Sequence, residues 1–177
     1  MCFVRAASLS TAASKNHRIM PHTELMSEPQ LIFGHKGQLQ EVLLNLIRNA
    51  IEAMDEIKDG PRMLRLRTEK FDRDAIAITI EDTGPGIDPK KLNAVFEVFV
   101  TTKPQGMGLG LAICRMIVER HGGQLLASPS SKGAVFQIIL PILSPAEASE
   151  PGLSQLGQFA ERDALSARPR LRTLPLT

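Results

Sequence analysis

The chain has 177 residues, of which 43% are hydrophobic, and a formal net charge of +2. This length and composition suit one soluble globular domain with a sizeable core. The aromatic residues are seven Phe, with no Tyr or Trp, and no basic run is interleaved with them. Nucleic acid is therefore not an expected partner.

The two cysteines, Cys2 and Cys114, are far apart, and Cys114 falls on a helical pattern. This indicates a reduced, cytoplasmic protein rather than a disulfide framework. No stretch of the sequence approaches the ~20 apolar residues that cross a bilayer, so no membrane segment is expected.

The two ends of the chain differ in composition from its middle. Residues 1–14 are predicted to be a flexible N-terminus without the character of a signal peptide. Residues 143–177 are rich in Pro, Ser, Ala and Arg, which predicts a mostly disordered tail with a short helix near 153–165. The folded domain is then expected over residues 15–142.

The first predicted elements are two short strands, at residues 18–25 and 30–33. A long helix follows over residues 38–58, with Gly60 as its cap and Pro61 as its stop. Its apolar residues share one broad face with a period of 3.6. They are Leu39, Val42, Leu43, Leu46, Ile47, Ala50, Ala53, Met54 and Ile57.

After this helix, apolar and polar residues alternate strictly along the sequence. Residues 63–70 place Leu64 and Leu66 on one face and arginines on the other, and residues 75–82 alternate in the same way. We expect two adjacent antiparallel strands with one face in water.

The last predicted elements close the domain. Asp88 is expected to be the N-cap of a short helix that has Pro89 at its first position. A second helix is predicted over residues 109–120, ending at Gly122 and Gly123. Two closing strands are predicted at 124–127 and 134–140, finishing at Pro141. The sum is an α+β fold, a two-layer α/β sandwich with a mixed, mainly antiparallel sheet.

A polar stripe runs along the long helix, opposite its apolar face. It contains Asn45 and Asn49, one turn apart. The stripe is either a solvated face or a ligand set for a hard cation, because amide oxygens suit Mg²⁺ and Asn is a mediocre helix former. Its members are Glu41, Asn45, Arg48, Asn49, Glu52 and Glu56.

The segment "EDTGPGI" places a carboxylate, Asp82, at the end of a predicted strand and two glycines after it. The simplest interpretation is a tight turn in which Asp82 bonds its own backbone. The alternative is a carboxylate that accepts a hydrogen bond from an exocyclic amine such as that of adenine, while Gly84 and Gly86 let the backbone approach a flat ring.

The segment "TTKPQGMGLGLAICRM" has three alternating glycines at the start of a predicted helix. A helix start can hold phosphate through its free N–H groups, although the Lys-Ser/Thr pair of a P-loop is missing because Leu111 follows Gly110. The alternative is a flexible loop whose glycines only permit close packing.

In order and spacing, "NLIRNAIEAM", "DTGPGI", "FEVFVTTK" and "GMGLGLAICRMIVERHGG" resemble the N, G1, F and G2 boxes of the ATP-binding catalytic domain of sensor histidine kinases. The resemblance covers about residues 30–141 and is most like nitrogen- and oxygen-sensing PAS-type kinases. It implies the Bergerat fold, shared with gyrase-type topoisomerases and mismatch-repair ATPases, and it implies ATP and Mg²⁺ as ligands.

The resemblance implies roles for individual residues. Asn49 should coordinate Mg²⁺, Asn45 should support the metal or a phosphate oxygen, and Asp82 should read the adenine amine. Lys103 should act at the terminal phosphate with Thr101 and Thr102, and Phe96 should pack the base of a lid with Phe99. For Arg48 and Glu52, a place in the site and a place merely beside it both remain open. The other implied nucleotide contacts are Ala53, Gly84, Gly86, Ile87, Gly106, Met107, Gly108, Leu109, Gly110 and Leu111.

Asn45 separates the subfamilies, because the hydrolysing relatives resemble one another in having Glu at this position as a general base. Phosphoryl transfer to a histidine is therefore expected rather than ATP hydrolysis. The alternatives are a nucleotide-sensing module without catalysis and another ATPase or serine kinase of this fold.

None of the four histidines fits the phosphoacceptor motif of the family. His22 is expected in a strand or loop, and His35 before the long helix in an N-cap-like or surface role. The expected partners are therefore a phosphoacceptor hairpin, supplied in trans or by a longer parent chain, and a response regulator. Without that hairpin the chain is expected to be monomeric. In the last strand Ala134 replaces a hydroxyl residue of the family that helps hold the adenine-binding Asp.

Overall fold

The computed structural model describes residues 19–55, 57–100, 107–130 and 132–143. The predicted flexible N-terminus and, beyond Leu143, the predicted tail lie outside these ranges. So do Glu56 and four of the residues that the family resemblance implicates, which are Thr101, Thr102, Lys103 and Gly106.

A five-stranded sheet forms one layer of the fold, with strand order β1-β2-β3-β5-β4. β1 pairs with β2 in parallel, and the three other pairings are antiparallel, which confirms the predicted mixed, mainly antiparallel sheet. Pro21 lies in β1, where the sheet edge tolerates a residue without a backbone N–H. The strands are β1 Met20–Glu24, β2 Met63–Asp72, β3 Ala75–Asp82, β4 Gln124–Ser130 and β5 Gly133–Pro141.

Two helices form the other layer, α1 Lys36–Asp55 and α2 Gly110–Arg120. The apolar face of α1 is buried as the 3.6 periodicity predicts, and Leu46 and Met54 are fully covered. In the described ranges neither helix is long and apolar enough to span a bilayer.

The alternation in β2 and β3 sorts the side chains as predicted. Leu64 and Leu66 are buried, whereas Arg65 lies on the open face, where its Nη1 is 3.1 Å from Glu81 Oε2. Glu81 is directly opposite Arg65 in the register, so the pair spans the two strands. One face of the sheet therefore carries the core and the other carries charge.

Three predictions about local elements need correction. Residues 30–33 do not form a strand: only Ile32 makes a bridge, the Leu31 carbonyl accepts the Leu143 N–H, and Pro29, just before them, has no N–H with which to extend the pairing. Helix α1 ends at Asp55, so Gly60, with a φ of 124°, lies in the following loop and is not its cap.

The third correction concerns the short helix after β3. Asp88 caps it as predicted, since its carboxylate accepts the Lys90 N–H at 2.9 Å, but two 3₁₀ turns form in place of one helix. They span Pro89–Lys91 and Ala94–Phe96.

Candidate functional site

Asp82 ends β3 and is only 2% exposed. Its Oδ1 accepts the N–H of Gly84 at 2.8 Å and the N–H of Ala134 at 3.3 Å. Burial raises the pKa of this carboxyl, the two backbone bonds oppose that rise, and the charge of Glu81 adds to it. The bond to Gly84 confirms the tight turn, and the bond to Ala134 shows that a backbone N–H of β5 also holds the carboxylate.

The glycines of the turn permit close packing on three sides. A Cβ at Gly84 would lie 2.9 Å from Asp82 Oδ1 and 3.1 Å from the Cβ of Ala53 on α1. Gly86 has a φ of 81°, and a Cβ there would lie 2.9 Å from the carbonyl oxygen of Gly133. The turn therefore joins the last part of α1 to the start of β5.

Thr83 fixes the same turn from its other side. Its hydroxyl donates to the carbonyl of Pro61 at 2.8 Å and accepts the N–H of Met63 at 2.9 Å. This residue was missed by the sequence reasoning, although its position beside Asp82 in "EDTGPGI" was a usable signal. Thr83 ties the loop before β2 to the Asp82 turn.

Asn45 faces the start of α2. Its Nδ2 donates to Cys114 Sγ at 3.2 Å, and a Cβ at Gly110 would lie 2.9 Å from the same nitrogen. Leu109, the N-cap of α2, makes no side-chain hydrogen bond to the helix. The stripe on α1 and the glycine-rich segment, far apart in sequence, are therefore in contact.

Between α1 and α2 lies an open groove of about 440 Å³. Asn45 and Arg48 line it together with Glu41 and the apolar side chains of Leu44 and Ile113. Asn49 and Glu52, two of the remaining predicted residues, lie on α1 but do not line this groove. The Asp82 turn does not line it either.

Phe99 and Gly108 flank residues 101–106. Phe99 N–H donates to the carbonyl of Gly108 at 3.1 Å, and a Cβ at Gly108 would lie 2.6 Å from the carbonyl carbon of Phe99. Phe99 has a φ of 67°, which is rare for a bulky residue. Phe99 and Gly108, nine positions apart, are therefore in direct backbone contact.

The two phenylalanines predicted to act together are in different environments. Phe96 is buried against Phe136 in an edge-to-face contact with ring centroids 6.3 Å apart, and Arg115 lies over its ring at 5.4 Å. Phe99 is 76% exposed, so its ring does not pack in the core of the described residues.

The other predicted contacts differ in burial. Ile87 and Leu111 are half-buried and pack against the core, while Met107 is 75% exposed. His35 takes the predicted N-cap-like role: its ring Nδ1 accepts from Gln38 N–H at 3.4 Å, and its carbonyl accepts from Leu39 N–H. His22 lies in β1, as expected.

The donor set at Asn45 and Asn49 suits Mg²⁺. The described residues contain no cluster of three or more His, Cys, Asp or Glu side chains that could hold a metal by themselves. Amide oxygens are hard ligands, and Mg²⁺ usually takes few protein ligands and fills its shell with phosphate oxygens and water. The arrangement therefore fits a cation that arrives with a phosphate ligand.

Residues 34–144 match the family of histidine kinase-, DNA gyrase B- and HSP90-like ATPases. The chain belongs to this family. That membership confirms the resemblance of the four sequence boxes, and it covers α1, the Asp82 turn and α2 together.

Within this ATPase family, the chain is similar to sensor kinases. It is 38% identical over 128 residues to the sensor protein TdiS of Thauera aromatica, covering 71% of this chain and 23% of TdiS. It is 36% identical over 137 residues to the sensor protein FixL of Bradyrhizobium diazoefficiens, covering 77% of this chain and 27% of FixL. The chain thus spans less than a third of these curated relatives.

Solved structures agree on the type of domain. The mycobacterial sensor histidine kinase MprB matches with a TM-score of 0.66 and 29% identity, over 77% of this chain and 90% of that one. Full-length ShkA in complex with AMPPNP matches with a TM-score of 0.67 and 27% identity, over 78% of this chain and 28% of ShkA. The chain is therefore a catalytic domain of the sensor histidine kinase type.

Proposed function

We propose that this domain binds Mg²⁺-ATP and transfers the γ-phosphoryl group to a histidine on a phosphoacceptor hairpin, in trans or in a longer parent chain. We further propose that it acts in the cytoplasm, as a monomer when the hairpin is absent, with a response regulator as the later acceptor. The similarity to ShkA, which was solved with AMPPNP, supports a nucleotide ligand.

Each end of the nucleotide is assigned to a different part of the site. The carboxylate of Asp82 accepts the adenine amine, and Gly84, Gly86 and Ile87 line the ring. At the other end, Gly110 opens α2 and directs backbone N–H groups to the phosphates. Asn49, with support from Asn45, would hold Mg²⁺, which would neutralise the charge of the phosphates.

The observation that carries the choice of reaction is the surroundings of Asn45. Its amide lies against Gly110 at the start of α2, and the family resemblance implies that hydrolysing relatives have Glu in place of Asn45. An amide cannot take a proton from water, so this side chain provides no general base for hydrolysis. Instead, an imidazole nitrogen of the acceptor histidine can form a bond to the γ-phosphorus. The bond between the γ-phosphorus and the β–γ bridging oxygen breaks, and ADP leaves with that oxygen.

The test mixes the chain with a phosphoacceptor hairpin from a sensor kinase and γ-labelled ATP. We expect acid-labile, base-stable label on the hairpin, and we expect Asn49→Ala to abolish it. Asn93→Ala is the matched control, because Asn93 is exposed and caps its 3₁₀ turn with no side-chain bond.

Several outcomes would contradict the proposal. Absence of label, or equal labelling by Asn49→Ala, would rule out this transfer at this site. Tight nucleotide binding without transfer would favour a sensing module, and release of free phosphate without an acceptor would favour an ATPase.

A further inference from the structure

The side-chain amide of Asn45 is held by two residues of α2. Gly110 leaves room for it by having no Cβ, and Cys114, one turn further along α2, accepts its Nδ2–H at 3.2 Å. Amide nitrogen and oxygen have nearly the same shape, so a free Asn can present either atom to a ligand. A specific partner for one of them decides which atom is presented.

Cys114 is suited to be that partner. Its side chain is 2% exposed, and its Sγ lies 3.9 Å from the carbonyl oxygen of Val42, to which the thiol donates. Burial raises the pKa of the thiol and the charge of Glu41 adds to that rise, whereas the bond from Asn45 opposes it. The chain of bonds runs in one direction, from Asn45 through Cys114 to Val42.

Because the thiol proton points to Val42, the sulfur can only accept a hydrogen bond from Asn45. The Asn45 amide must therefore turn its Nδ2 toward Cys114. Oδ1 of Asn45 accepts no hydrogen bond from the described residues and is left for a ligand. We propose that Cys114 is a positioning residue, which fixes the amide of Asn45 so that its oxygen is offered to Mg²⁺-ATP. This rests on the proposed nucleotide function, and it favours the metal over a phosphate oxygen as the partner of Asn45.

Substitutions at Cys114 separate this role from simple packing. Valine fills the space but accepts no hydrogen bond, whereas serine can accept from Asn45 and donate to Val42. A buried hydroxyl is costlier than a methyl group in an apolar site. A packing role therefore predicts that Cys114→Val is the milder change, and the positioning role predicts that Cys114→Ser is milder for Mg²⁺-ATP binding.

The experiment measures the Kd of ATP for the whole chain by calorimetry, with and without Mg²⁺. We expect Cys114→Val to weaken Mg²⁺-ATP binding roughly three- to ten-fold, the worth of one hydrogen bond, and to leave metal-free ATP binding within about two-fold. Cys114→Ser should stay within about two-fold of the wild type. In the Asn45→Ala background, Cys114→Val should have no further effect.

A second readout needs no ligand. The side-chain NH₂ signals of Asn45 in an NMR spectrum of the free protein should shift and exchange faster in Cys114→Val but resemble the wild type in Cys114→Ser. Thermal melting checks that each variant folds. If the valine variant does not fold, Cys114→Ala removes the acceptor without adding bulk.

Three results would each overturn the positioning role. They are wild-type affinity for Mg²⁺-ATP in Cys114→Val, tighter Mg²⁺-ATP binding by the valine variant than by the serine variant, and an effect of Cys114→Val that persists in the Asn45→Ala background. Those results leave the proposed function intact, provided that Asn49→Ala abolishes binding. A wild-type chain that does not bind Mg²⁺-ATP overturns both proposals.

Discussion

Gly133 lies so close to Asp82 that a Cβ at Gly133 would come within 1.9 Å of the Asp82 carbonyl oxygen. The φ of Gly133 is 127°, a conformation that residues with side chains rarely adopt. The first residue of β5 and the last residue of β3 thus meet by backbone, and the next N–H, from Ala134, reaches the Asp82 carboxylate.

This contact predicts a large effect for Gly133→Ala. We expect the free energy of unfolding to fall by roughly 2–4 kcal/mol, since the methyl group adds a clash to the backbone strain, and we expect nucleotide binding to be lost. Gly60→Ala is the control: Gly60 has a φ of 124° but nothing within 4 Å of the added methyl. In urea denaturation, Gly60→Ala should lower the free energy of unfolding only by the cost of backbone strain, about 1–2 kcal/mol. Equal losses of unfolding free energy in the two variants would contradict the importance of the contact between Gly133 and Asp82.

The raised pKa of Asp82 predicts opposite pH trends for stability and for binding. Because the folded carboxyl binds its proton more readily, its contribution to stability is full below the ordinary value of 3.8 and is lost as pH rises through the raised native pKa. Nucleotide affinity should rise over the same interval, as the carboxylate forms.

Asp82→Asn should flatten both trends and lower ATP affinity roughly 10- to 100-fold, the worth of a charge-assisted hydrogen bond. Thermal melting and ATP titration across that pH interval measure the two trends. The exposed Asp74→Asn serves as the control. An unchanged affinity profile in Asp82→Asn would assign the pH dependence to another group.

Thr83 offers a matched pair of substitutions. Thr83→Val keeps the shape but removes the bonds to Pro61 and Met63, so we expect the free energy of unfolding to fall by about 1–3 kcal/mol. Thr83→Ser keeps the hydroxyl and should lose less. If urea denaturation ranked serine below valine, the methyl group rather than the hydroxyl would matter.

His121 links the end of α2 to the start of α1. Its ring Nδ1 donates to the Ile117 carbonyl at 2.7 Å, and its Nε2 accepts the His35 N–H at 2.9 Å. His121→Ala should lower the free energy of unfolding by about 1–3 kcal/mol. His22→Ala, which breaks only an exposed contact to Glu24, should change it by less than about 0.5 kcal/mol in the same denaturation assay.

The sequence alone determined the elements whose signals are local. The alternation in β2 and β3, the apolar face of α1 and the cap at Asp88 all follow from residues within a few positions of one another, and the structure confirms them. The four ordered boxes also point to the family, and the family match over residues 34–144 confirms it.

Tertiary structure alone decided the contacts within the site. Asn45 and Cys114 are 69 positions apart, and Asp82 and Ala134 are 52 positions apart. No periodic pattern in the sequence can predict a hydrogen bond over such separations. The exposure of Phe99 and the single bridge at Ile32 depend on what neighbouring elements cover or pair with. Periodicity reports which face of an element is apolar, but only the packing of α2 on α1 and of β5 on β3 selects the atoms that meet.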